Sequence, residues 1–238
     1  IVKGVCESQY IDIPYIKENV ANGNIPDLGI ANSPDIERLI LLEPEAIFST
    51  PIQGQVYGQV EKLGIPMIET PDYMENTPLG RAEWIRFYSL FLENESFADS
   101  LYNQTVIASL AIKEKVSSIT NRPTVFTDLM YGSVWYTAGG ESFMANMLHD
   151  AGANYVWEES KTSGSTPLAF ETVLDKAGDA NFWLMKYNQP KDMTYTQLPR
   201  ENKGYANFDA YKNRNIWGCN TGRITYYEDL PIHPDYIL

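Results

Sequence analysis

The sequence predicts an α/β fold made of two small Rossmann-like lobes joined by one long α-helix. Short apolar segments, typical of buried parallel strands, alternate with helical stretches along most of the 238 residues. This alternation stops at one long amphipathic stretch and begins again after it. We therefore predict an N-terminal lobe at residues 1–94, an interlobe helix at 95–120 and a C-terminal lobe at 121–238, with a ligand cleft between the lobes.

The elements of the first lobe follow from its apolar runs and helix terminators. The predicted elements are strands at 1–5, 45–49 and 66–69, and helices at 34–42, 53–63 and 79–92. The helix at 53–63 stops at Gly64, because glycine readily takes the left-handed conformation that closes a helix.

The connecting helix is predicted from about residue 94 to 119. Its apolar positions recur at intervals of three, four and seven residues, which indicates one buried stripe formed by Phe97, Leu101, Ala108, Ile112, Val116 and Ile119. Such a helix would be roughly 38 Å long. A single stiff connector of this kind predicts only modest lobe movement when a ligand binds.

The same alternation then predicts the second lobe. Its predicted elements are strands at 123–127, 181–185 and 215–219, and helices at 141–151, 168–177 and 205–212. Two of these helices end at Gly152 and Gly178, again at typical terminators.

The composition excludes several classes of function. Net charge is −13, and no run of Lys or Arg offers the clustered positive charge that nucleic acid requires. No apolar stretch reaches the roughly 18 residues of a membrane span. The chain opens on a strand-like segment rather than a signal peptide, so its start does not predict where the protein resides.

Four segments in order along the chain resemble one known family. They are residues 25–47, 63–68, 138–153 and 167–184. The first and last each have an apolar residue and a Glu opening a short helix, followed by a strand. This pattern is similar to that of the solute-binding proteins that serve ABC importers of ferric siderophores, haem and cobalamin. The family usually has one further strand and helix at the start and a helix at the end, so we expect a trimmed chain.

The resemblance implies a function and a set of partners. It implies a non-catalytic extracytoplasmic protein that delivers an iron chelate (siderophore or haem) or cobalamin to an inner-membrane permease. Glu37 and Glu171 match the carboxylates that dock on the permease; alternatively, each favours only the positive end of its helix dipole. We expect a monomer, periplasmic or lipid-anchored on the outer face of the inner membrane. No cofactor is expected beyond the iron or cobalt of the cargo.

Ligand contacts are expected from loops at the carboxyl ends of strands, where aromatic side chains recur. The candidates are Tyr10, Tyr57, Tyr73, Arg81, Tyr131, Trp135 and Tyr136. Flat aromatic faces with polar tips suit a large chelate, and Arg81 suits an anionic group. For each aromatic residue, core packing is the alternative; for Arg81, it is a salt bridge to Glu83.

Other functions find weaker support in the sequence. A hydrolase could use an acid–base pair such as Asp72 with Asp128 in the interlobe cleft, but no nucleophile elbow or phosphate loop is present. Only two histidines, His149 and His233, argue against direct metal capture. A scaffold or adhesion role would rest on two glycosylation sequons, at residues 94–96 and 103–105, which we interpret as chance matches.

The two cysteines, Cys6 and Cys219, lie far apart in sequence. Each lies at the end of its own predicted strand. A disulfide is one interpretation; two half-buried free thiols are the simpler one.

Overall fold

The computed structural model describes residues 2–51 and 57–238, and it contains two compact units. Unit 1 comprises Ile1–Met74 and unit 2 comprises Glu75–Leu238. The chain is an α/β protein, as the alternating pattern predicts. The sequence placed a boundary at residue 94 and a separate connector at 95–120, whereas residues 75–120 belong to unit 2. The predicted lobe boundaries and the cleft between lobes stay predictions.

Unit 1 contains short helices and two small sheets. Its elements are α1 (Pro14–Ala21), β1 (Gly29–Ile30), β2 (Ser33–Pro34), α2 (Ile36–Leu42), β3 (Ile47–Ser49) and β4 (Met67–Glu69). Strands β1 and β2 pair antiparallel, and β3 and β4 pair parallel. Leu28, Leu39 and Val60 form the buried centre of this unit.

Two predictions for unit 1 need correction. The strand predicted at residues 1–5 is absent from the described residues 2–5, where Val5 makes only an isolated parallel bridge to Asp27. Of the helix predicted at 53–63, residues 53–56 lie outside the described part. Its last turn, Val60–Leu63, is a 3-10 helix that ends at Gly64 with φ 72°. The glycine therefore terminates this segment as predicted.

Unit 2 begins with helices α3 (Pro78–Ser89) and α4 (Glu95–Ser117) and continues with alternating elements. These are β5 (Thr124–Thr127), β6 (Met130–Tyr131), β7 (Val134–Ala138), α5 (Phe143–Asp150), β8 (Asn154–Tyr155), β9 (Ser165–Leu168), α6 (Phe170–Ala177), β10 (Phe182–Tyr187), α7 (Leu198–Glu201), α8 (Asp209–Lys212), β11 (Ile216–Asn220), α9 (Tyr226–Asp229) and α10 (Pro234–Ile237). Strands β11, β10, β5 and β8 form a parallel sheet in that order.

A second sheet of unit 2 was not predicted. Strands β6, β7 and β9 form it, and all its pairings are antiparallel. Tyr131 pairs with Val134, so only Gly132 and Ser133 lie in the turn between β6 and β7. Gly132 has φ 62°, which is the conformation that a tight hairpin requires and that glycine adopts without strain.

Aromatic rings fill the core of unit 2. Phe126, Trp135, Trp183 and Phe208 are fully buried. Phe126 stacks on Trp183 and Phe208 at ring-centroid distances of 5.2 and 4.9 Å, and it lies 6.0 Å from Trp135. Rings of this size bury large apolar areas, so this cluster contributes a major share of the stability of unit 2.

The long helix exists, but its buried face differs from the predicted stripe. Helix α4 has 23 residues, or about 35 Å, and it packs on α3, α5 and α10. Its buried residues are Ala98, Thr105 and Ser109. Phe97 and Ile119, both assigned to the stripe, are 60% and 45% exposed. Small side chains therefore face the neighbouring helices, because they allow close approach.

Candidate functional site

In unit 1, Tyr10 lies on a short loop that Asp27 holds in place. The Asp27 carboxylate accepts hydrogen bonds from the Ser8 hydroxyl at 2.5 Å, the Ser8 amide at 3.0 Å and the Gly29 amide at 2.8 Å. These hydrogen bonds, led by that of the Ser8 hydroxyl, lower the pKa of Asp27. Tyr10 is 76% exposed. The loop therefore presents a tyrosine ring on an ordered backbone.

Two further predicted tyrosines of unit 1 hydrogen-bond to residues at or just after the carboxyl ends of β3 and β4. The Tyr57 hydroxyl donates to Glu69 Oε1 at 2.9 Å, and the Tyr73 hydroxyl donates to the Pro51 carbonyl at 2.9 Å. Glu69 ends β4, and Pro51 closely follows β3. The carboxyl edge is where ligands bind in parallel α/β sheets. Whether these tyrosines contact a ligand stays a prediction.

In unit 2, Asp128 joins the carboxyl ends of β5 and β10. Its carboxylate accepts from the Thr127 hydroxyl and from Lys186 Nζ, both at 2.7 Å, and its carbonyl accepts from Trp183 Nε1 at 2.8 Å. Asp128 has φ 70°, a left-handed conformation whose cost these contacts help to offset. Burial alone would lower the pKa of Lys186, but the charge and hydrogen bond of Asp128 outweigh that effect and raise it.

The hairpin that follows Asp128 carries three of the predicted ligand residues, and one of them requires correction. Tyr131 and Tyr136 are 82% and 46% exposed. Trp135 is fully buried in the aromatic core and donates from Nε1 to the Thr127 carbonyl at 3.0 Å. Because residues alternate between faces of a strand, Trp135 points away from the face of Tyr136. Trp135 is therefore a packing residue, and we remove it from the ligand candidates.

Arg81 is half-buried in helix α3 of unit 2. Its guanidinium carbon lies 5.4 Å from the ring centroid of Phe143, a cation–π geometry. Its alternative partner Glu83 forms a salt bridge with Arg86 at 3.0 Å. Arg81 therefore lies on an aromatic ring at the start of helix α5, and its role toward an anionic ligand stays a prediction.

The two predicted docking carboxylates have matching positions. Glu37 lies in the first turn of α2 and Glu171 in the first turn of α6, and both side chains are exposed. Each is thus available to a partner and also lies at the positive end of its own helix. The structure is compatible with both interpretations that the sequence left open.

Histidines and cysteines offer no cluster for a metal ion. Among residues 2–51 and 57–238, no group of three or more His, Cys, Asp or Glu side chains could hold one. The His233 ring stacks on Tyr236 at 4.4 Å, and the side chain of His149 is 72% exposed. Cys6 and Cys219 are free and half-buried, as the simpler interpretation predicts, and burial raises the pKa of both thiols.

Sequence reasoning missed a cavity of about 650 Å³ in unit 2. It lies beside β11 and against the segment 192–195, and Met185, Tyr187, Met193, Tyr195 and Gly218 contribute to its walls. The nearest signal in the sequence is Gly218 within an apolar strand, because such glycines mark positions of close backbone approach.

The parallel sheet and the exposed tyrosines at strand ends are typical of α/β ligand-binding proteins. The chain belongs to the periplasmic binding protein family, whose pattern matches residues 4–221. The family is extracytoplasmic, which agrees with the predicted compartment. Within the described residues, no helix has the length and apolarity needed to cross a bilayer.

The chain is also similar to curated relatives and to solved structures. Two uncharacterized lipoproteins of Methanocaldococcus jannaschii are 27% and 26% identical to the chain, over 85% and 94% of its length. The chain spans only 49% and 55% of these relatives.

Among solved structures, a possible iron-binding periplasmic protein of Staphylococcus epidermidis has a TM-score of 0.72 at 17% identity, covering 98% of this chain and 85% of that one. The periplasmic haem-binding protein of Vibrio cholerae has a TM-score of 0.72 at 16% identity, covering 99% and 88%. The periplasmic vitamin B12-binding protein of the same organism has a TM-score of 0.65 at 14% identity, covering 99% and 83%. These likenesses establish the two-lobed α/β fold class that the sequence predicts.

Proposed function

We propose that this protein is the substrate-binding component of an ABC importer and that it captures a metal chelate: a ferric siderophore, haem or cobalamin. The observation that carries the proposal is the set of exposed tyrosines on both units, on a family fold whose solved members include haem- and B12-binding proteins. Large flat ligands gain contact area from such rings, and the hydroxyls add polar contacts.

The contacts of individual residues support a division of roles. Tyr10 and Tyr131 are the most exposed of the candidate tyrosines. Tyr10 ends a short turn whose Ser8 is hydrogen-bonded to Asp27, and Tyr131 ends strand β6 three residues after Asp128. Fixed loops lose little conformational entropy on binding, which favours affinity. Arg81 would neutralise an anionic group of the cargo, and its contact with Phe143 holds the guanidinium in one position.

We further propose that Glu37 and Glu171 dock the loaded protein on its permease. Two exposed carboxylates, one in each unit, provide two charged contacts for Arg or Lys of a membrane partner. By analogy with the lipoprotein relatives, the mature protein would act on the outer face of the membrane, lipid-anchored or free in the periplasm, and as a monomer.

The proposed cargo is tested by titrating the full chain with haem, cyanocobalamin and a ferric hydroxamate while following tryptophan fluorescence. We expect saturable 1:1 quenching by one of them. Tyr10→Ala and Tyr131→Ala should each weaken that binding about tenfold, the loss expected for an aromatic contact of about 1.4 kcal/mol. Tyr15→Ala and Tyr236→Ala remove rings that are 63% and 70% exposed elsewhere and should leave the affinity unchanged.

Two results would contradict the proposal. The first is the absence of binding across the whole panel. The second is the recovery of a chemically altered cargo after incubation with an equimolar amount of the protein. Such turnover would indicate an enzyme that uses an acid–base pair such as Asp72 and Asp128. Asp128 already bonds to Lys186, so general acid–base work would require that pair to separate.

The docking proposal needs the permease reconstituted in liposomes. Glu37→Gln and Glu171→Gln should each reduce stimulation of permease ATPase activity at least tenfold while cargo affinity stays constant. Glu18→Gln and Glu114→Gln neutralise exposed carboxylates on α1 and α4 and serve as controls. Equal stimulation by all four variants would refute docking through Glu37 and Glu171.

A further inference from the structure

The cavity beside β11 is a groove along an open sheet edge, and we call it the edge groove. Strand β11 is the outer strand of the four-stranded parallel sheet. Gly218 and Asn220 of β11 line the edge groove together with Met193 and Tyr195 of the segment 192–195. Gly218 is exposed, although it lies in the middle of its strand.

Alternation of the backbone shows which peptide groups of β11 face the edge groove. Trp183 donates its amide to the Asn215 carbonyl at 3.0 Å, and Thr221 donates its amide to the Tyr187 carbonyl at 2.9 Å. Odd-numbered residues of β11 therefore bond to β10. Because neighbouring residues of a strand point their peptide groups in opposite directions, the N–H and C=O of Gly218 both point into the edge groove.

Only a glycine fits at position 218, because the ring of Tyr187 leaves no room for a side chain. A Cβ atom on Gly218 would lie 2.8 Å from Cε1 of Tyr187, closer than real side chains approach each other. The ring of Tyr187 therefore packs directly against the strand at this point. The consequence is an unobstructed backbone donor and acceptor beside an aromatic ring, which is a favourable arrangement for an amide ligand.

Both ends of the edge groove are closed. At one end the Ile216 amide donates to the Tyr195 hydroxyl at 3.0 Å. At the other end Arg223 and Asp192 form a salt bridge at 2.8 Å. The open length, from residue 216 to residue 220, is about 13 Å, or about four extended residues. A continuous strand of another protein would run past these ends, whereas a short ligand fits between them.

We propose that the edge groove binds a short peptide or peptide-like amide of about four residues, paired with Gly218 as an added strand. Backbone pairing supplies affinity, and the Met, Tyr, Leu and Ile side chains of the walls receive alternate apolar side chains of the ligand. The site is independent of the proposed cargo, and its volume of about 650 Å³ is in the range typical of ligand pockets.

Backbone amide exchange on the full chain tests the site directly. The probe is the tetrapeptide Val-Thr-Val-Thr, acetylated at its N-terminus and amidated at its C-terminus. At saturation we expect exchange of the Gly218 amide to slow at least tenfold, with a dissociation constant of about 1 mM or tighter. The amides of Trp217 and Cys219 face β10 and should exchange slowly with and without peptide, which makes them internal controls.

The chemical control is the same peptide with every amide nitrogen methylated, because it then has no backbone N–H donor on either edge and cannot pair with a strand. It should not protect Gly218. Gly218→Pro removes the donor and should abolish binding; if this variant does not fold, the exchange data on the unaltered chain decide. The proposal is overturned if neither peptide slows exchange at Gly218, if both slow it equally, or if folded Gly218→Pro binds with unchanged affinity. Cargo binding is measured separately, so each proposal can fail alone.

Discussion

The aromatic core of unit 2 gives a quantitative prediction for Phe126→Ala. Phe126 is fully buried and contacts three other buried rings at centroid distances from 4.9 to 6.0 Å. Truncating a buried Phe to Ala costs about 3–5 kcal/mol, because transfer free energy is lost and a cavity remains. We expect a loss of about 4 kcal/mol, since rigid Trp rings cannot collapse into the space.

The assay is urea unfolding followed by tryptophan fluorescence. All five tryptophans lie between residues 84 and 217, so the signal reports on unit 2. Phe97→Ala is the matched control, because its ring is 60% exposed on α4; its effect should stay within about 0.5 kcal/mol. A cost below about 1.5 kcal/mol for Phe126→Ala, or a large cost for Phe97→Ala, would refute this view of the packing.

Two further predictions concern the backbone and pH. Gly140→Ala should destabilise unit 2 by more than about 2 kcal/mol in the same urea assay. The reason is that a Cβ atom on residue 140 would lie under 3.0 Å from three carbonyl oxygens of residues 157–160. Gly164→Ala is the control, because a Cβ atom on residue 164 would meet only open space. The pKa of Asp27 is lower in the folded protein than in the unfolded chain, where it is about 3.9. The carboxylate therefore stabilises the folded state fully above its unfolded pKa, and this stabilisation is lost as pH falls through its folded pKa. Exchange of the Ser8 amide, measured by NMR, should therefore accelerate below about pH 4 relative to the intrinsic rate, and Asp27→Asn should abolish this step. An Asp27 carboxyl titrating at or above the unfolded value would contradict the prediction.

Local patterns predicted much of the fold because they act over a few residues. Helices α5 and α6 and strands β5 and β10 lie close to their predicted bounds, and the terminator Gly64 closes its segment. The motif at 138–153 also has a physical basis, since Gly139 and Gly140 pack against carbonyl oxygens that leave no room for a side chain. Propensity, periodicity and turn chemistry agree at these places.

The remaining features depend on distant contacts. The sheet of β6, β7 and β9 escaped prediction because its strands are short and β9 pairs across more than 25 intervening residues. Periodicity found α4 but selected Phe97 for its buried face, whereas Ala98 is buried because close packing favours small residues. Trp135 was assigned to a ligand-binding loop, although apolar and polar residues alternate around it as they do in a strand. That alternation predicts that the Trp135 side chain faces the core.

The remaining predicted ligand residues stay predictions, although the structure gives the surroundings of each one. Tyr57 and Tyr73 hydrogen-bond to Glu69 and Pro51, at or just after the carboxyl ends of two paired parallel strands. The ion pair of Asp128 with Lys186 was not predicted, since it joins residues 58 positions apart. The edge groove depends on which strand is outermost in the sheet, and no local pattern of the sequence determines strand order.

Helix α4 has an interface that is not optimised for stability. Ser109 is buried, and among the described residues its hydroxyl has no hydrogen-bond partner. A hydroxyl in that position costs free energy that alanine would not, and alanine also has the higher helix propensity. Ser109→Ala would therefore stabilise this helix interface, and Ser109 is the first position to change in a more heat-resistant variant.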